Sequence, residues 1–528
     1  MTRAGARPVL SLFAGLALMV AAWTAVTPLA QAPDEPAHYI KALAAGRGHA
    51  HGAPPDLKSV NGLIAAVKRR PATRSHEAQV HALRFVTQAS GAFALPNGLA
   101  PEIGCFNNLL MRADTTQPAD CETRPSAAPG EQGTYTSYVA AYPPYAYVLP
   151  ALAMRAAGDH DPAAAYRIGR GVIALVSLVL LGLSLLLLWD GRAGPLSLAG
   201  AMVATTPMSV WSFSVLNTSG LEIAGATCWT AALLRLSRPA RAPAWVWAAA
   251  AAGGVVLATT RPSGPVFVVF STLCVALMFG LSPALRIVRR ADRAAVLASV
   301  AVGAGLAAAL FWQRYMPGYS LGVGRLIDCV PYAIEDLPRV FREAVGRFAG
   351  DWFVPVYVAL AWAALLGALV TAAAMVVPPR QRRRVLLLAG GTIAFIAAYA
   401  TAYLTSGFDE FYGRYALPGL VVLPLCAGRL LAERASELAA TTRARLVVAL
   451  TLGTAAIQLL AWWLESRRLA VGTDGPLVFP SDAGWDPPGG WLLWIAVMLA
   501  GVLLYGSVAW QAAYSRSPRA SKARALSQ

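Results

Sequence analysis

The sequence predicts an all-α polytopic membrane protein of about 12 transmembrane helices with a large extracytoplasmic first loop, and three observations predict it. Of 528 residues, 57% are hydrophobic and 13% are charged; soluble domains carry roughly 25% charged residues. The apolar residues fall in repeated runs of roughly 17 to 25, the length that takes an α-helix across a hydrocarbon core. The net charge of +17 is segregated by side of the membrane rather than spread along the chain. An ordinary cytosolic enzyme and a disordered chain are both excluded.

Spans are expected at 9–29, 168–189, 195–212, 219–236, 244–260, 264–282, 294–313, 353–377, 385–405, 415–433, 446–464 and 491–512. With a cytoplasmic N-terminus, both termini are cytoplasmic. The inner segments then hold 22 of the 44 basic residues against four of the 27 acids. The other 22 basic residues face 23 acids on or near the outer side. The basic excess is therefore the positive-inside signal of a membrane protein, and no nucleic acid is needed to explain it. Shifting the count by one span would put Arg380, Arg382, Arg383 and Arg384 outside. The first span, in residues 1–29, reads as a retained anchor. Ala30-Gln31-Ala32 has the look of a cleavage site, but the apolar stretch is long for a signal peptide and Pro33 would follow the cut. Residues 166–512 hold spans two to twelve, and 513–528 form a basic cytoplasmic tail.

The loop at 30–165 is too long for a passive connection. It holds all six histidines, His38, His49, His51, His76, His81 and His160. It also holds Cys105 and Cys121, which face an oxidising side and can pair or stay free. Cys228, Cys274 and Cys426 fall inside spans and read as small packing residues. Residues 56–70 and 338–349 have mixed apolar and basic helical patterns. Both fit helices lying on the outer leaflet, and both fit solvated loop helices. Residues 139–154 are apolar but broken by Pro143, Pro144 and Pro150, which suits an interfacial or re-entrant segment supported by protein.

No Walker A motif, HExxH or nucleophile elbow is present. The most suggestive chemistry is Pro33-Asp34-Glu35-Pro36-Ala37-His38, just beyond the first span. Its prolines discourage helix and predict a stiff turn that carries both acids. A carboxylate beside a low-dielectric surface has its pKa raised towards that of a useful general base. Asp34, Glu35 and His38 are equally a donor set for a divalent metal, and an ordinary solvated acidic turn fits them too. Glu222 lies within the fourth span, where an ionisable group is a functional candidate, yet it is close enough to the outer end to reach water. Arg167, Arg170, Arg261, Arg314 and Arg414 fall near outer ends of spans. Each suits a phosphate or snorkels to the headgroups. Arg414 is the best placed, in Asp409-Glu410-Phe411-Tyr412-Gly413-Arg414-Tyr415 with Pro418 following.

Taken in order, the DEPAH block, Tyr142-Pro143-Pro144-Tyr145, Thr206-Pro207 with Asn217-Thr218-Ser219, and Gly413-Arg414-Tyr415 with Pro418 resemble the bacterial membrane proteins known as domain of unknown function 2142. The resemblance covers roughly 25–435. Members often have Asp where Ser219 stands, so no catalytic acid is expected there. That family is similar in layout to the GT-C glycosyltransferases, multispan enzymes that use polyprenyl-phosphate sugars and carry an essential acid in the first outer loop. The resemblance implies a GT-C-like fold, with Asp34 or Glu35 as the base towards an acceptor hydroxyl. Its donor would be a polyprenyl-phosphate sugar and its acceptor an extracytoplasmic cell-envelope glycan or glycolipid, among membrane lipids. Arg414 then suits the donor phosphate, His38 and Tyr415 lie beside these residues in the motifs, and Tyr142, Tyr145 and Tyr147 suit the border of a lipid groove. With no soluble domain after the last span, acceptor recognition is expected to fall to the first loop. Two rival readings are a transporter or lipid-linked glycan flippase, and a non-catalytic envelope-assembly protein. Acids lining a midplane cavity would favour transport; acids at the outer surface beside a lipid-facing groove favour transfer.

Overall fold

The computed structural model describes residues 3–54, 90–96, 99, 101–103, 123–125, 131–158, 161–239, 241–316, 326–349, 352–406 and 410–514. The helix expected at 56–70, the Cys105–Cys121 pairing, His76, His81, His160, Asp409 and the tail after Tyr514 lie outside these residues.

The chain enters through α1 (Arg3–Val26) and turns into α2 (Glu35–Gly46), which opens the first loop. That loop carries two small antiparallel ribbons that the sequence reading did not expect. One pairs β1 (Gly91–Pro96) with β4 (Gln132–Ser137), setting Phe93 opposite Tyr135; the other pairs β2 (Pro101–Ile103) with β3 (Thr123–Pro125). Alternation along β1 turns Phe93 and Leu95 inward. A 3-10 turn at Pro144–Tyr147 leads to α3 (Val148–Met154). Here Val148, Leu149 and Leu152 are exposed while Pro150, Ala151 and Met154 are buried. One apolar face looks outward and the other rests on protein, as an interfacial segment requires.

The helices that follow are α4 (Pro162–Leu188), α5 (Ala199–Ala204), α6 (Pro207–Ser212), α7 (Thr218–Leu236), α8 (Ala244–Thr260), α9 (Gly264–Phe279) and α10 (Ser282–Arg289). Then come α11 (Arg293–Tyr315), α12 (Leu326–Glu335), α13 (Leu337–Val345), α14 (Val356–Val376) and α15 (Pro379–Thr405). The last are α16 (Gly413–Leu420), α17 (Val422–Glu433), α18 (Ala440–Val471) and α19 (Trp491–Tyr514).

Among the described residues every segment expected to span is largely helical, and the chain is a multi-pass helical membrane protein. Among the described residues, eight helices are long and apolar enough to cross a bilayer alone, counting α16 and α17 as one. The other expected spans depart from that ideal for local reasons. The segment at 195–212 is a 3-10 turn, α5 and α6, interrupted at Thr205-Thr206. Helix α8 is short, and α9 bends by 110° into α10 after Gly280. Helix α7 is buried along its length apart from Trp229 and Arg235. Shielded from lipid by its neighbours, it carries threonines, a serine and a glutamate that a lipid-facing helix would not.

The core is packed by close backbone approach. A Cβ on Gly200 of α5 would lie 2.5 Å from the Pro424 carbonyl oxygen, and one on Gly428 of α17 would lie 2.5 Å from the Gly200 nitrogen. Small residues let membrane helices meet at this distance. Gly200→Val is expected to lower the thermal midpoint of the detergent-purified protein, matching a loss of roughly 1–3 kcal/mol for overpacking. Gly303→Ala, whose added Cβ meets nothing within 4 Å, should leave the midpoint unchanged.

Candidate active site

The DEPAH block divides its two acids between two environments. The chain leaves α1 through a turn at Pro28–Pro33, and Asp34 caps α2 with φ 67° and ψ −5°. This left-handed conformation is uncommon outside glycine but tolerated by Asp and Asn. The expected stiff turn therefore ends at Asp34. Glu35, Pro36 and His38 are helical, because proline in the first turn gives up no intrahelical hydrogen bond.

Glu35 faces inward and is fully buried. Its two oxygens accept from Arg170 Nε at 2.6 Å and Nη2 at 2.6 Å, and from the backbone amides of Ala30 at 3.1 Å and Leu216 at 2.9 Å. Arg170 spends its remaining N–H groups on the carbonyls of Thr27 at 2.6 Å, Pro28 at 2.9 Å and Thr24 at 3.3 Å. The pair thus ties the end of α1, the start of α2, α4 and the turn before α7 together. Glu35 offers no open face to a substrate, so of the two acids expected as candidates for the base only Asp34 is accessible.

Asp34 faces the other way, and its side chain is 25% exposed. It accepts from the Tyr138 hydroxyl at 2.7 Å and is ion-paired with Arg414 Nη2. The Ser137 hydroxyl donates to the Ala37 carbonyl at 2.8 Å, which seats the end of β4 over α2 and carries Tyr138 to Asp34. Burial works to raise the Asp34 pKa, but the Arg414 guanidinium and the Tyr138 hydroxyl overrule it and hold the carboxyl below its ordinary value. The apolar surroundings alone predict a raised value; the cation that α16 brings reverses the direction.

Arg414 is itself positioned by α13. A Cβ on Gly413 would lie 2.3 Å from the Val340 carbonyl oxygen and 2.3 Å from the Ala344 nitrogen, so only glycine fits the contact. Glu343 accepts from the Gly413 amide at 2.7 Å and from Arg347 at 2.8 Å, and Arg339 joins Glu343 to Glu410. The 338–349 segment therefore docks beside the site, with Val340, Glu343, Ala344 and Val345 buried, instead of lying on the leaflet.

A second cation lies next to the first. Arg261, at the end of α8, sits 4.1 Å from the Tyr415 ring, and Arg414 sits 5.0 Å from the same ring. Arg261 also donates to the Tyr142 hydroxyl at 2.9 Å and to Ser219 Oγ at 3.3 Å, and is 3.5 Å from Glu222. Glu222 accepts from Ser263 Oγ at 2.7 Å and is fully buried, so it does not reach water. His38 Nδ1 is 2.6 Å from the Tyr147 hydroxyl. Burial, with Arg261 and Arg414 nearby, pushes the His38 pKa down to about 3 against the pull of Asp34, so the imidazole is neutral.

Of the expected site residues, the structure brings together Asp34, His38, Tyr142, Arg414 and Tyr415, and sets Glu35 beneath them. Tyr145 is exposed and stands apart. Of the five arginines, Arg170, Arg261 and Arg414 are buried while Arg167 and Arg314 are exposed. Tyr138 was missed; its only signal was its place just ahead of the proline-rich segment. Asp34, Glu35 and His38 do not converge, and among the described residues no three His, Cys, Asp or Glu side chains form a metal-holding group. The donor set does not fit a metal.

The family model described as "Predicted membrane protein (DUF2142)" matches residues 16–423. No curated protein matches the chain. Among solved structures, the crystal structure of ArnT from Cupriavidus metallidurans in the apo state is similar with a TM-score of 0.34 and 16% identity, covering 86% of this chain and 77% of that one.

Two outcomes follow from the buried charges. Removing one partner of a buried pair typically costs about 3–5 kcal/mol. Glu35→Gln should therefore cut the yield of folded protein in membranes, whereas Asp34→Asn, which keeps a residue tolerant of the left-handed turn, should insert normally. The second concerns Lys41, fully buried in α2, whose Nζ donates to the Ala50 carbonyl and to the Ala140 carbonyl at 2.8 Å. Burial lowers its pKa to about 7. The unfolded chain then binds more protons than the folded one from pH of about 7 up to the ordinary lysine value of ~10.4. Stability contributed by this group is lost as pH falls through that window, so thermal melts from pH 7 to pH ~10 should show a rise that Lys41→Met abolishes.

Proposed function

The chain belongs to the DUF2142 family of predicted membrane proteins, and from the geometry of its Asp34 site we propose that it is a GT-C-like glycosyltransferase. The reaction moves a sugar from a polyprenyl-phosphate donor to a cell-envelope glycan or glycolipid on the outer face of a bacterial plasma membrane. The observation that carries this reading is a partly exposed carboxylate, Asp34, ion-paired with a buried arginine that shares the Tyr415 ring with a second arginine.

Donor phosphate enters opposite Arg414 and Arg261, whose guanidinium forks suit its oxygens. The tail lies along the lipid-facing side, beside the exposed Val148, Leu149 and Leu152 of α3. Asp34 accepts the proton of the acceptor hydroxyl. The acceptor oxygen bonds to the anomeric carbon as the bond from that carbon to the phosphate oxygen breaks, and polyprenyl phosphate leaves with the electron pair. One displacement inverts the anomeric centre. The cations face the charge that grows on the leaving oxygen, where a preformed electrostatic site is worth most. As phosphate draws Arg414 towards itself, Asp34 loses part of the interaction that depresses its pKa and becomes a stronger base. Glu35 and Arg170 position this apparatus without touching substrate.

In a deletion strain, Asp34→Asn and Arg414→Gln, compared with wild type at matched membrane levels, are each expected to fail to restore the missing envelope sugar. Full restoration by Asp34→Asn would overturn the mechanism and favour transport or assembly. With purified enzyme, Asp34 stays ionised and His38 neutral from pH ~5 to ~8, so neither group should place an inflection in kcat/KM across that range.

A further inference from the structure

A second charged cavity lies at the opposite end of the bundle. Fifteen residues separate Arg414 from Arg429 along α16 and α17, which at a rise of 1.5 Å per residue is about 22 Å. Around Arg429 the ends of α4, α7, α8, α17 and α18 line a cavity of about 620 Å³. Its walls carry Arg192, Arg235, Arg238, Arg241, Arg429 and Arg443. Two carboxylates line it, Asp190 and Glu433. Asp190 lies 3.4 Å from Arg238, Glu433 pairs with Arg429, and Asp292 takes Arg241 from the rim. Three guanidinium charges remain in excess.

The positive-inside rule accounts for arginines near this face but asks only that they lie near the span ends. It does not ask that they wall a cavity or be buried. Arg429 is 8% exposed, and the Nε atoms of Arg238 and Arg429 are buried with no hydrogen-bond partner among the described residues. Such donors are normally satisfied in a native structure. Burial together with Arg429 and Arg235 pushes the Arg238 pKa down to about 10, the signature of like charges gathered with too few counter-ions.

We propose that this cavity is a binding site for an anion carrying two phosphate groups. Guanidinium forks match phosphate oxygens in pairs, two phosphates neutralise most of the excess charge, and the volume falls in the ~300–1,000 Å³ range of small-ligand sites. The same chemistry is offered by the headgroup of an anionic bis-phosphate lipid, which basic pockets between spans are suited to bind, and by a soluble diphosphate. The site is distinct from the Asp34 centre and does not depend on the transferase reading.

The test uses the full-length protein. Thermal midpoints are measured in detergent with and without inorganic pyrophosphate, and in phosphatidylcholine nanodiscs with and without cardiolipin. A rise with cardiolipin alone identifies the lipid as the source, and a rise with pyrophosphate alone identifies a soluble anion. In either case Arg238→Gln with Arg443→Gln should weaken the response about tenfold or more. The single change Arg443→Gln, at a half-buried position on α18, serves if the pair folds poorly. Arg286→Gln with Arg289→Gln removes the same charge from exposed positions on α10 and should leave the response intact. No shift with either probe, or an equal loss in both double variants, overturns the proposal and leaves the arginines as orientation signals alone.

Discussion

The Asp34 site hangs on the ion pair between Glu35 and Arg170. Each partner is at or below 1% exposure, 135 residues separate them in sequence, and between them they satisfy five backbone groups, of Thr24, Thr27, Pro28, Ala30 and Leu216. Two buried charges are tolerable only when every lone pair and N–H is matched, and here they are. The constraint sets the entry angle of α2. With Glu35 turned into the bundle, its neighbour Asp34 must turn out of it, and the left-handed backbone at Asp34 completes the divergence. Two adjacent carboxylates thereby become one structural group and one available group.

A second constraint acts on the cations. Arg261 and Arg414 are both buried and close to one ring, an arrangement that needs anions nearby. Glu222 supplies one to Arg261 and Asp34 supplies one to Arg414. The Glu222 partner is deep and enclosed, while the Asp34 partner is open to solvent. In the proposed mechanism an arriving phosphate therefore competes with Asp34 and not with Glu222. This asymmetry couples donor binding to the basicity of the carboxylate in the proposed mechanism, and it arises from where α7 and α2 place their acids.

The two charged regions at the ends of the bundle differ in their balance. The Asp34 end has its cations countered by Asp34 and Glu222, although Arg414 Nε and Glu222 Oε2 are buried with no hydrogen-bond partner among the described residues. The Arg429 end keeps an excess of cations around a formed cavity. Both ends share α7 and the α16–α17 span, helices buried almost throughout, and Gly428 of α17 packs closely on Gly200 of α5.

Much of this was legible in the sequence, because it depends on local composition. Apolar runs of bilayer length specify helices, and the prolines at 143, 144 and 150 mark a segment that forms only a 3-10 turn and the short helix α3. The grouping of Asp34, His38, Tyr142, Arg414 and Tyr415 followed from the resemblance of their motifs. What the sequence could not decide is direction. Helical periodicity does not say that Glu35 meets Arg170, that Asp34 meets Arg414 across 380 positions, or that Tyr145 faces away while Tyr138 faces in. It reads α7 as one more span, whereas neighbours on all sides make it the polar centre of the bundle. Hydropathy measures a residue against lipid or water; pairing, pKa and role depend on the groups that distant segments bring within a few ångströms, and only the tertiary structure determines those.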